Sequence, residues 1–487
     1  MRESRDVPAG LSSPTAPSSA AWGISAGLAA VSSAWLGAGL GDPAHAHWDE
    51  GFYITDAHRF FDGGPLENPE HPPLGKFLIG LGIQLAGDTA LGWRAASFVA
   101  IVLLVASLPL WLEPTGLVGA RAPRWILALP SCLLLVDPLF YVTARLATLD
   151  ALLTLFYVNA GLALLAARAA KDARHGRALR VLAGALAGLA LGTKWTALTL
   201  VPVFVVAFVR LDGKHLRADR RALLELFGTF GTVYLGCFAL PGATHFGLHA
   251  FPQVQGPLDD ALSWPERVVS LHYRMVSYHT YYFSSDQRSA WFEWFLARQP
   301  LWYALRADGE RFRVIAAIGS PFVWFAGEVA TLVLLVRAAR ARDAASALLA
   351  ALPLAQLLFW ALVLRMTFLY YMTAIVPFFA LALAHLLARE RERAPGPSAQ
   401  AEDDLGRRVK SRTTGIRAIA VVALLTSGVA WHAYVLPLLR GEPLDERALR
   451  AFAASPAAPL IFHRAFPIDR VLQLARDGTF GTGAAVR

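Results

Sequence analysis

Charge is scarce in this chain. Only 17% of its 487 residues are Asp, Glu, Lys or Arg, against about 25% in an ordinary soluble protein. That shortage argues against a string of water-solvated domains. Cysteine is nearly missing. The two present, Cys132 and Cys237, both fall inside apolar stretches, which speaks against a disulfide framework or a cysteine metal site. No internal repeat, heptad, collagen or low-complexity pattern is visible, so solenoid and fibrous architectures are set aside. Acid is the rarer sign, 36 Asp and Glu against 45 Lys and Arg. A basic excess is compatible with nucleic acid, but its placement points elsewhere.

What the chain has is apolar surface. Hydrophobic residues make up 55%, gathered in blocks of about twenty, enough to cross a hydrocarbon core of about 30 Å. Eleven blocks are predicted spans: 22–40, 90–112, 125–142, 146–167, 179–193, 195–209, 222–240, 314–336, 344–364, 368–388 and 416–436. The fifth and sixth are short and abut at Lys194. A further apolar run, 74–86, is too short to span and reads as an interfacial or re-entrant helix. The expected fold is an all-α polytopic membrane protein whose external loops carry short interfacial helices.

Alternate connections hold the basic residues. Segments 168–180 and 210–221 carry five Lys/Arg each, 337–342 three and 389–417 eight, and Arg2, Arg5, Arg121 and Arg124 fall on the same side. The positive-inside rule puts that side in the cytoplasm. The basic excess is therefore a topology signal, and no nucleic-acid partner is expected. The protein is placed in an inner or plasma membrane, with residues 1–21 cytoplasmic and, for an odd span count, the tail 437–487 external. Arg2, Arg5 and the later Ala44-His45-Ala46 also resemble a signal peptide. The apolar stretch between them is longer than the usual 7–15 residues or so of such a peptide, so it is read as an uncleaved first span. The transmembrane module is 22–436, with external loops 41–89 and 241–313, the second rich in Trp, Tyr and His. A linker at 389–415, mixing Pro, Ser and charge, joins the last two spans in the cytoplasm, and the tail holds an amphipathic helix near 468–476.

The first external loop reads His47-Trp48-Asp49-Glu50-Gly51-Phe52-Tyr53, then Glu70-His71-Pro72-Pro73-Leu74-Gly75-Lys76. Two adjacent carboxylates beyond a span can supply a general base for a hydroxyl nucleophile. Equally, Asp49 and Glu50 can simply favour a helix N-terminus. The prolines suit the first turn of a short helix, but they do not explain Lys76 at the head of an apolar run. A second group is cationic: Arg94 opening the second span, Arg145 before the fourth with Asp150 five residues on, Lys194 between the fifth and sixth, and Arg365 before Tyr370-Tyr371. By the topology above all four share the side of Asp49. Charge at membrane depth is costly and usually faces a cavity or a partner. Cations beside a carboxylate pair suit a lipid-linked phosphate, while each alone can be read as snorkelling to the interface. Five residues is about 140° around a helix, so Arg145 and Asp150 share a face only if a helix begins between them.

Taken in order, these blocks resemble the protein O-mannosyltransferase family, in its bacterial form. The acids Asp49-Glu50 with His71-Pro72-Pro73-Leu74-Gly75-Lys76 are similar to that family's first-loop signature. Trp93-Arg94, Arg145 with Leu149-Asp150, and Gly192-Thr193-Lys194-Trp195 resemble its next blocks. Ser263-Trp264-Pro265, Gly319-Ser320-Pro321 with Trp324, and Arg365 with Phe368-Leu369-Tyr370-Tyr371 and Pro377-Phe378 resemble the later ones. Departures are Ser320 for an asparagine, Tyr370 for a histidine and Thr373 for a proline. Segment 241–313 is also too short for an inserted β-trefoil.

The resemblance implies a GT-C-type fold of about eleven spans and an external site under the first and fourth external loops. It implies inverting transfer of a sugar, mannose foremost, from a polyprenyl- or dolichyl-phosphate donor to a Ser or Thr hydroxyl of an exported protein. Asp49 or Glu50 is then the base. Arg94, Arg145, Lys194, Arg365 and Lys76 bind the donor phosphate or its lipid-linked sugar, supported by Glu70, His71, Asp150 and Tyr370. No cofactor is required and no metal site is indicated. An envelope glycolipid acceptor, as in the aminoarabinose transferases of lipid A, stays open. A transporter or flippase of lipid-linked sugars is a further alternative, disfavoured by the missing repeat and by charges gathered at one end of the spans. So is a non-catalytic partner of another glycosyltransferase, against which the intact acid pair weighs.

Overall fold

The computed structural model describes residues 16–119, 122–212, 215–246, 262–280, 285–341, 343–363, 365–392, 404–464 and 467–478. Arg2, Arg5, Arg121, Lys214, Arg342, Arg393 and the Pro- and Ser-rich part of the linker, all used above for topology, lie outside the described residues, as does part of the tyrosine-rich stretch.

The chain opens with α1 (Ser19–Gly37), then two short helices, α2 (Glu50–Asp62) and α3 (Leu74–Ala86), then α4 (Ala90–Leu112). A broken pair follows, α5 (Trp125–Leu135) and α6 (Pro138–Ala144), then α7 (Leu149–Ala169), α8 (Ala173–Thr193) and α9 (Leu200–Phe208). A hairpin of β1 (Val209–Asp212) and β2 (His215–Ala218) leads to α10 (Arg220–Gly236), and α11 (Trp264–Thr280) lies in the second long loop. Strands β3 (Leu301–Asp308) and β4 (Arg311–Ala317) precede α12 (Pro321–Ala341), α13 (Ala344–Leu362), α14 (Val376–Glu392) and α15 (Asp404–Arg440). The tail holds β5 (Leu444–Asp445), α16 (Glu446–Ala454), α17 (Ala458–Ile461) and α18 (Ile468–Arg476).

Among the described residues eight helices are long and apolar enough to cross a membrane, and the α5–α6 pair makes a ninth if counted as one span. The other two of the eleven expected spans are helical but fall short of one measure or the other. The first turns of α8 carry Arg174, Arg177 and Arg180, and Trp195–Phe208 is a short helix that opens with a 3₁₀ turn. The helix at Leu74–Ala86 is present, as is the amphipathic one at Ile468–Arg476, whose Val471, Leu472 and Ala475 are buried.

Two features depart from the all-helical expectation. Val314 does not begin the eighth span. Val314–Ala317 belong to β4, which pairs antiparallel with β3, while β5 pairs on its other side. The apolar run passes for a helix in sequence because a strand buried along most of its length looks like the start of a span. The span itself begins at Pro321, a residue suited to a first helical turn. The hairpin β1–β2 is the second departure.

The 70° bend between α5 and α6 has a local cause. Pro138 lacks an N–H and breaks the ladder. Asp137 caps the new helix through Leu139 N at 3.0 Å and accepts from Trp324 Nε1 at 2.6 Å. The Gly319-Ser320-Pro321 block thus serves as a clamp. Gly319 packs so closely on the Trp324 ring that a Cβ there would lie 2.2 Å from it, and its carbonyl accepts from Trp431 Nε1 at 2.9 Å.

Candidate active site

The adjacent acids part company at the head of α2. Trp48 takes a left-handed backbone conformation, φ 51°, uncommon for a residue with a side chain, and its ring meets Phe368 edge-on at 6.2 Å. The turn sends the next two side chains in different directions. Glu50 is fully buried. Its carboxylate accepts from His47 N at 2.9 Å, Arg94 Nε at 3.1 Å and Ala147 N at 2.7 Å. Asp49 sits at the N-cap position but makes no side-chain cap bond. Its carboxyl instead lines a cavity of about 450 Å³, with Tyr53 Oη 3.5 Å away. Burial pushes the Asp49 pKa up to about 7; Glu70 and Asp150 push the same way and Lys194 opposes.

Three expected phosphate ligands do not line this cavity. Arg94 is fully buried and, beyond Glu50, donates to the carbonyls of Leu40 and His45 at 3.1 Å each. Arg145 donates to the carbonyls of Leu36 at 2.9 Å, Ala38 at 2.6 Å and Gly39, so it ties off the end of α1. A helix does begin between Arg145 and Asp150, yet the two do not pair: Asp150 bonds Lys194 instead. Lys76, also fully buried, pairs with Asp56 at 2.8 Å and donates to Asn68 O, stapling α3 to α2. Gly75 lets α3 come close: a Cβ there would lie 2.6 Å from Leu149 Cδ2. These cations look inward because unpaired backbone carbonyls at buried helix ends need donors.

The remaining predicted residues converge. Lys194 Nζ lies 3.0 Å from both oxygens of Asp150 and stands over the Tyr370 and Tyr371 rings at 5.3 and 5.2 Å. Lys194 occupies the break between α8 and the following 3₁₀ turn, which is why two abutting apolar blocks meet at a charge. Glu70, His71, Arg365 and Tyr370 line the same cavity. Arg365 hydrogen-bonds His279 Nδ1 and lies 5.7 Å from the Tyr278 ring. Burial, then the Arg365 charge, lowers the His279 pKa to about 3, so its neutral ring accepts from Arg365. Burial, then Lys194, holds His71 well below its usual value, and the two imidazoles lie 5.5 Å apart.

Residue-by-residue reading missed His279 and Tyr278 on the cavity wall, and gave no role to Trp48 and Trp195, which stand there too within blocks quoted above. The signal was compositional, a long loop rich in Trp, Tyr and His. The helix α11 that delivers Tyr278 and His279 is tied at its start by Glu266, whose Oε2 accepts from Ser263 N at 2.8 Å and from Ser263 Oγ at 2.5 Å. Below the cavity runs an apolar groove of about 1100 Å³ between α9, α12 and α13, and Leu198 and Phe359 line both. Among the described residues no cluster of three or more His, Cys, Asp or Glu is placed to hold a metal ion.

The chain and its fold have known counterparts. The family model for dolichyl-phosphate-mannose-protein mannosyltransferase matches residues 70–233, a stretch holding His71, Lys76, Arg94, Arg145, Asp150 and Lys194. A polyprenol-phosphate-mannose–protein mannosyltransferase of Mycolicibacterium smegmatis is 27% identical over 490 residues, covering 87% of this chain and 90% of that one. The chain is similar to the protein O-mannosyltransferases over most of its length. The Saccharomyces cerevisiae protein O-mannosyltransferase Pmt1–Pmt2 complex, solved with the sugar donor bound, shares the fold at a TM-score of 0.68 and 12% identity, covering 91% of this chain and 93% of that one. ArnT from Cupriavidus metallidurans shares it less closely, at a TM-score of 0.50 and 16% identity, covering 94% of this chain and 70% of that one. The fold is thus of the GT-C type, mostly helical and membrane-embedded.

Proposed function

We propose that this protein moves mannose from a polyprenyl-phosphate donor to a Ser or Thr hydroxyl of a protein acceptor. The observation that carries the reading is one cavity in which Asp49 faces Lys194 and Arg365, opening onto an apolar groove large enough for a lipid tail. The curated relative of M. smegmatis named for that same transfer, aligned over most of both chains, supports it.

Asp49 accepts the acceptor hydroxyl's proton, a task suited to a carboxyl with a pKa near the working pH. The oxygen attacks the anomeric carbon on the face opposite the phosphate. The bond from that carbon to the phosphate oxygen breaks, and polyprenyl phosphate leaves with the bonding electrons. Lys194 and Arg365 meet the charge that builds on the phosphate, preorganised by Asp150 and His279. The cavity's aromatic walls, Trp48, Tyr53 and Tyr370 among them, offer apolar faces to a sugar ring. Glu50, Arg94, Arg145 and Lys76 hold the first loop in place rather than touch substrate. The cavity face is the external one, and the face carrying the Arg180–Glu225 and Arg389–Asp343 pairs is cytoplasmic.

The test is reconstitution of the purified protein with radiolabelled polyprenyl-phosphate-mannose and a Ser/Thr-rich peptide. Label on the peptide, released by β-elimination, is expected. Label on an envelope glycolipid with none on peptide would move the protein to the lipid-acceptor reading.

A further inference from the structure

Two imidazoles stand on the cavity wall, and the fold uses them differently. His279 is engaged on both sides of its ring. Its Nδ1 accepts from Arg365, and the ring also bonds the backbone of Glu70. His71 is the other, 5.5 Å away. It is only 9% exposed and lines the cavity, yet its Nδ1 is enclosed with no hydrogen-bond partner among the described residues. A polar atom shut off from water and left unpaired is costly, and a buried one calls for an explanation. The backbone that carries it is fixed. Pro72 and Pro73 follow directly and lock two successive φ angles, and residues 70–73 are all buried. The ring is therefore held in place by its loop while its own polar capacity is left over.

The neighbours of His71 indicate what it meets. On one side is Tyr53, ring centroids 6.2 Å apart, whose hydroxyl lies 3.5 Å from the Asp49 carboxyl. On the other is His279, which holds Arg365. His71 thus stands between the partner of the base and the partner of a phosphate cation. In displacement at the anomeric carbon, the sugar ring is what lies between base and phosphate. A phosphate is the poorer match for this imidazole, because it only accepts and Lys194 and Arg365 already offer donors. Burial, followed by the charges of Lys194, His279, Lys76 and Arg365, holds the His71 pKa well below its usual value. Near pH 7 the ring is neutral, with one N–H and one lone pair. A hydroxyl complements both.

We propose that His71 reads the hydroxyl on carbon 2 of the transferred sugar, beside the anomeric carbon. The inference rests on the functional reading above and names the sugar group that the same site recognises. That hydroxyl is the one nearest the line from Asp49 to the phosphate. Hydrogen bonds to it strengthen as an oxocarbenium-like transition state forms, so His71 favours transfer as well as binding. A donor without the hydroxyl leaves the imidazole unpaired.

The experiment uses the full-length protein in phosphatidylcholine nanodiscs, as wild type, H71F and H71A. The donors are farnesyl-phosphate-mannose and its 2-deoxy analogue, with a Ser/Thr-rich peptide as acceptor. The readout is the ratio of kcat/KM for the two donors, compared between wild type and variant so that the donors' own reactivity cancels. That preference for the mannosyl donor is expected to fall by about 10- to 100-fold in both variants, the worth of a buried polar group left unpaired. Calorimetric binding of farnesyl phosphate, which lacks the sugar, is expected to hold within about twofold, showing that the site is folded. H71A adds no bulk and carries the test where the phenyl ring disturbs the loop. An unchanged ratio, whether both donors slow equally or neither does, overturns the proposal and leaves the functional reading standing. Farnesyl phosphate binding weakened as much as transfer makes His71 a phosphate ligand and likewise overturns it. No mannose transfer by the wild type overturns the functional reading and this inference with it.

Discussion

Asp49 and Glu50 are neighbours in sequence and occupy different regions of the molecule. Glu50 belongs to a buried polar framework with Arg94, Arg145, Lys76 and Asp56, in which ion pairs and carbonyl bonds hold the first loop onto α1, α4 and α7. Asp49 belongs to the cavity, with Lys194, Arg365, His71 and His279. The framework is satisfied internally: Glu50 accepts from His47 N, from Arg94 Nε and Nη2 and from Ala147 N, and Arg94 spends its N–H groups on Glu50 and two carbonyls. The cavity is left partly unsatisfied, with His71 Nδ1 lacking a hydrogen-bond partner among the described residues and the Asp49 carboxyl raised in pKa. Groups that must meet a substrate cannot also be fully used by the fold.

The comparison breaks most readily at Asp49. Asp49→Asn is expected to lower mannosyl transfer by about 10²–10⁴-fold, the usual worth of a positioned base, with membrane insertion and thermal stability unharmed. Transfer of labelled mannose within a few-fold of wild type would sink the base assignment. Arg94→Met tests the framework. It leaves Glu50 buried and unpaired, a loss of about 3–5 kcal/mol, read as a lower unfolding temperature in detergent. Adding Glu50→Leu should recover much of that loss, since an apolar pair can replace a buried ion pair. No recovery would mean that Glu50 does more than hold Arg94 and the loop.

Lys194→Met is expected to cut transfer by about 10²–10³-fold through lost phosphate stabilisation, with the loss in kcat rather than in recovery of folded protein. An unchanged kcat would place the leaving-group charge elsewhere. The smallest effect is on pH. Transfer should rise through pH 7 as Asp49 ionises and then level, and Asp49→Asn should abolish that limb in its residual rate. The same group contributes to stability in the opposite sense. Its folded pKa, about 7, lies above the ordinary 3.8, so its contribution is full below pH 3.8 or so and lost as pH rises through 7. The unfolding temperature of wild type minus that of Asp49→Asn should therefore fall over that window, and a flat difference would contradict the raised pKa.

Much of this was legible in residue order. Apolar blocks located the helices, and basic connections grouped them into two ends. The short helix at Leu74–Ala86 followed from its length, and the cavity residues Asp49, His71, Lys194 and Arg365 were all singled out. Roles were less legible. A buried arginine that caps carbonyls and one that faces a ligand carry the same sequence signal, a cation at a span end. Arg94 and Arg365 could not be told apart until their partners were in place. The β3–β4 sheet was hidden because Val314–Ala317 is apolar enough to pass for a span, and only pairing with Leu301–Asp308 decides for a strand.

The sequence by itself determined that this chain lives in a membrane, where most of its helices run, and which eleven polar residues had to be accounted for. Those conclusions depend on local quantities: length, apolarity and the cost of charge in hydrocarbon. Tertiary structure alone decided which carboxylate of the Asp49-Glu50 pair looks into the cavity, and that His279 from a distant loop meets Arg365. These depend on contacts between residues far apart in the chain, such as Ala147 N with Glu50 and Arg365 with His279. No local pattern of residues encodes which of several equivalent cations a fold will consume and which it will leave for a ligand.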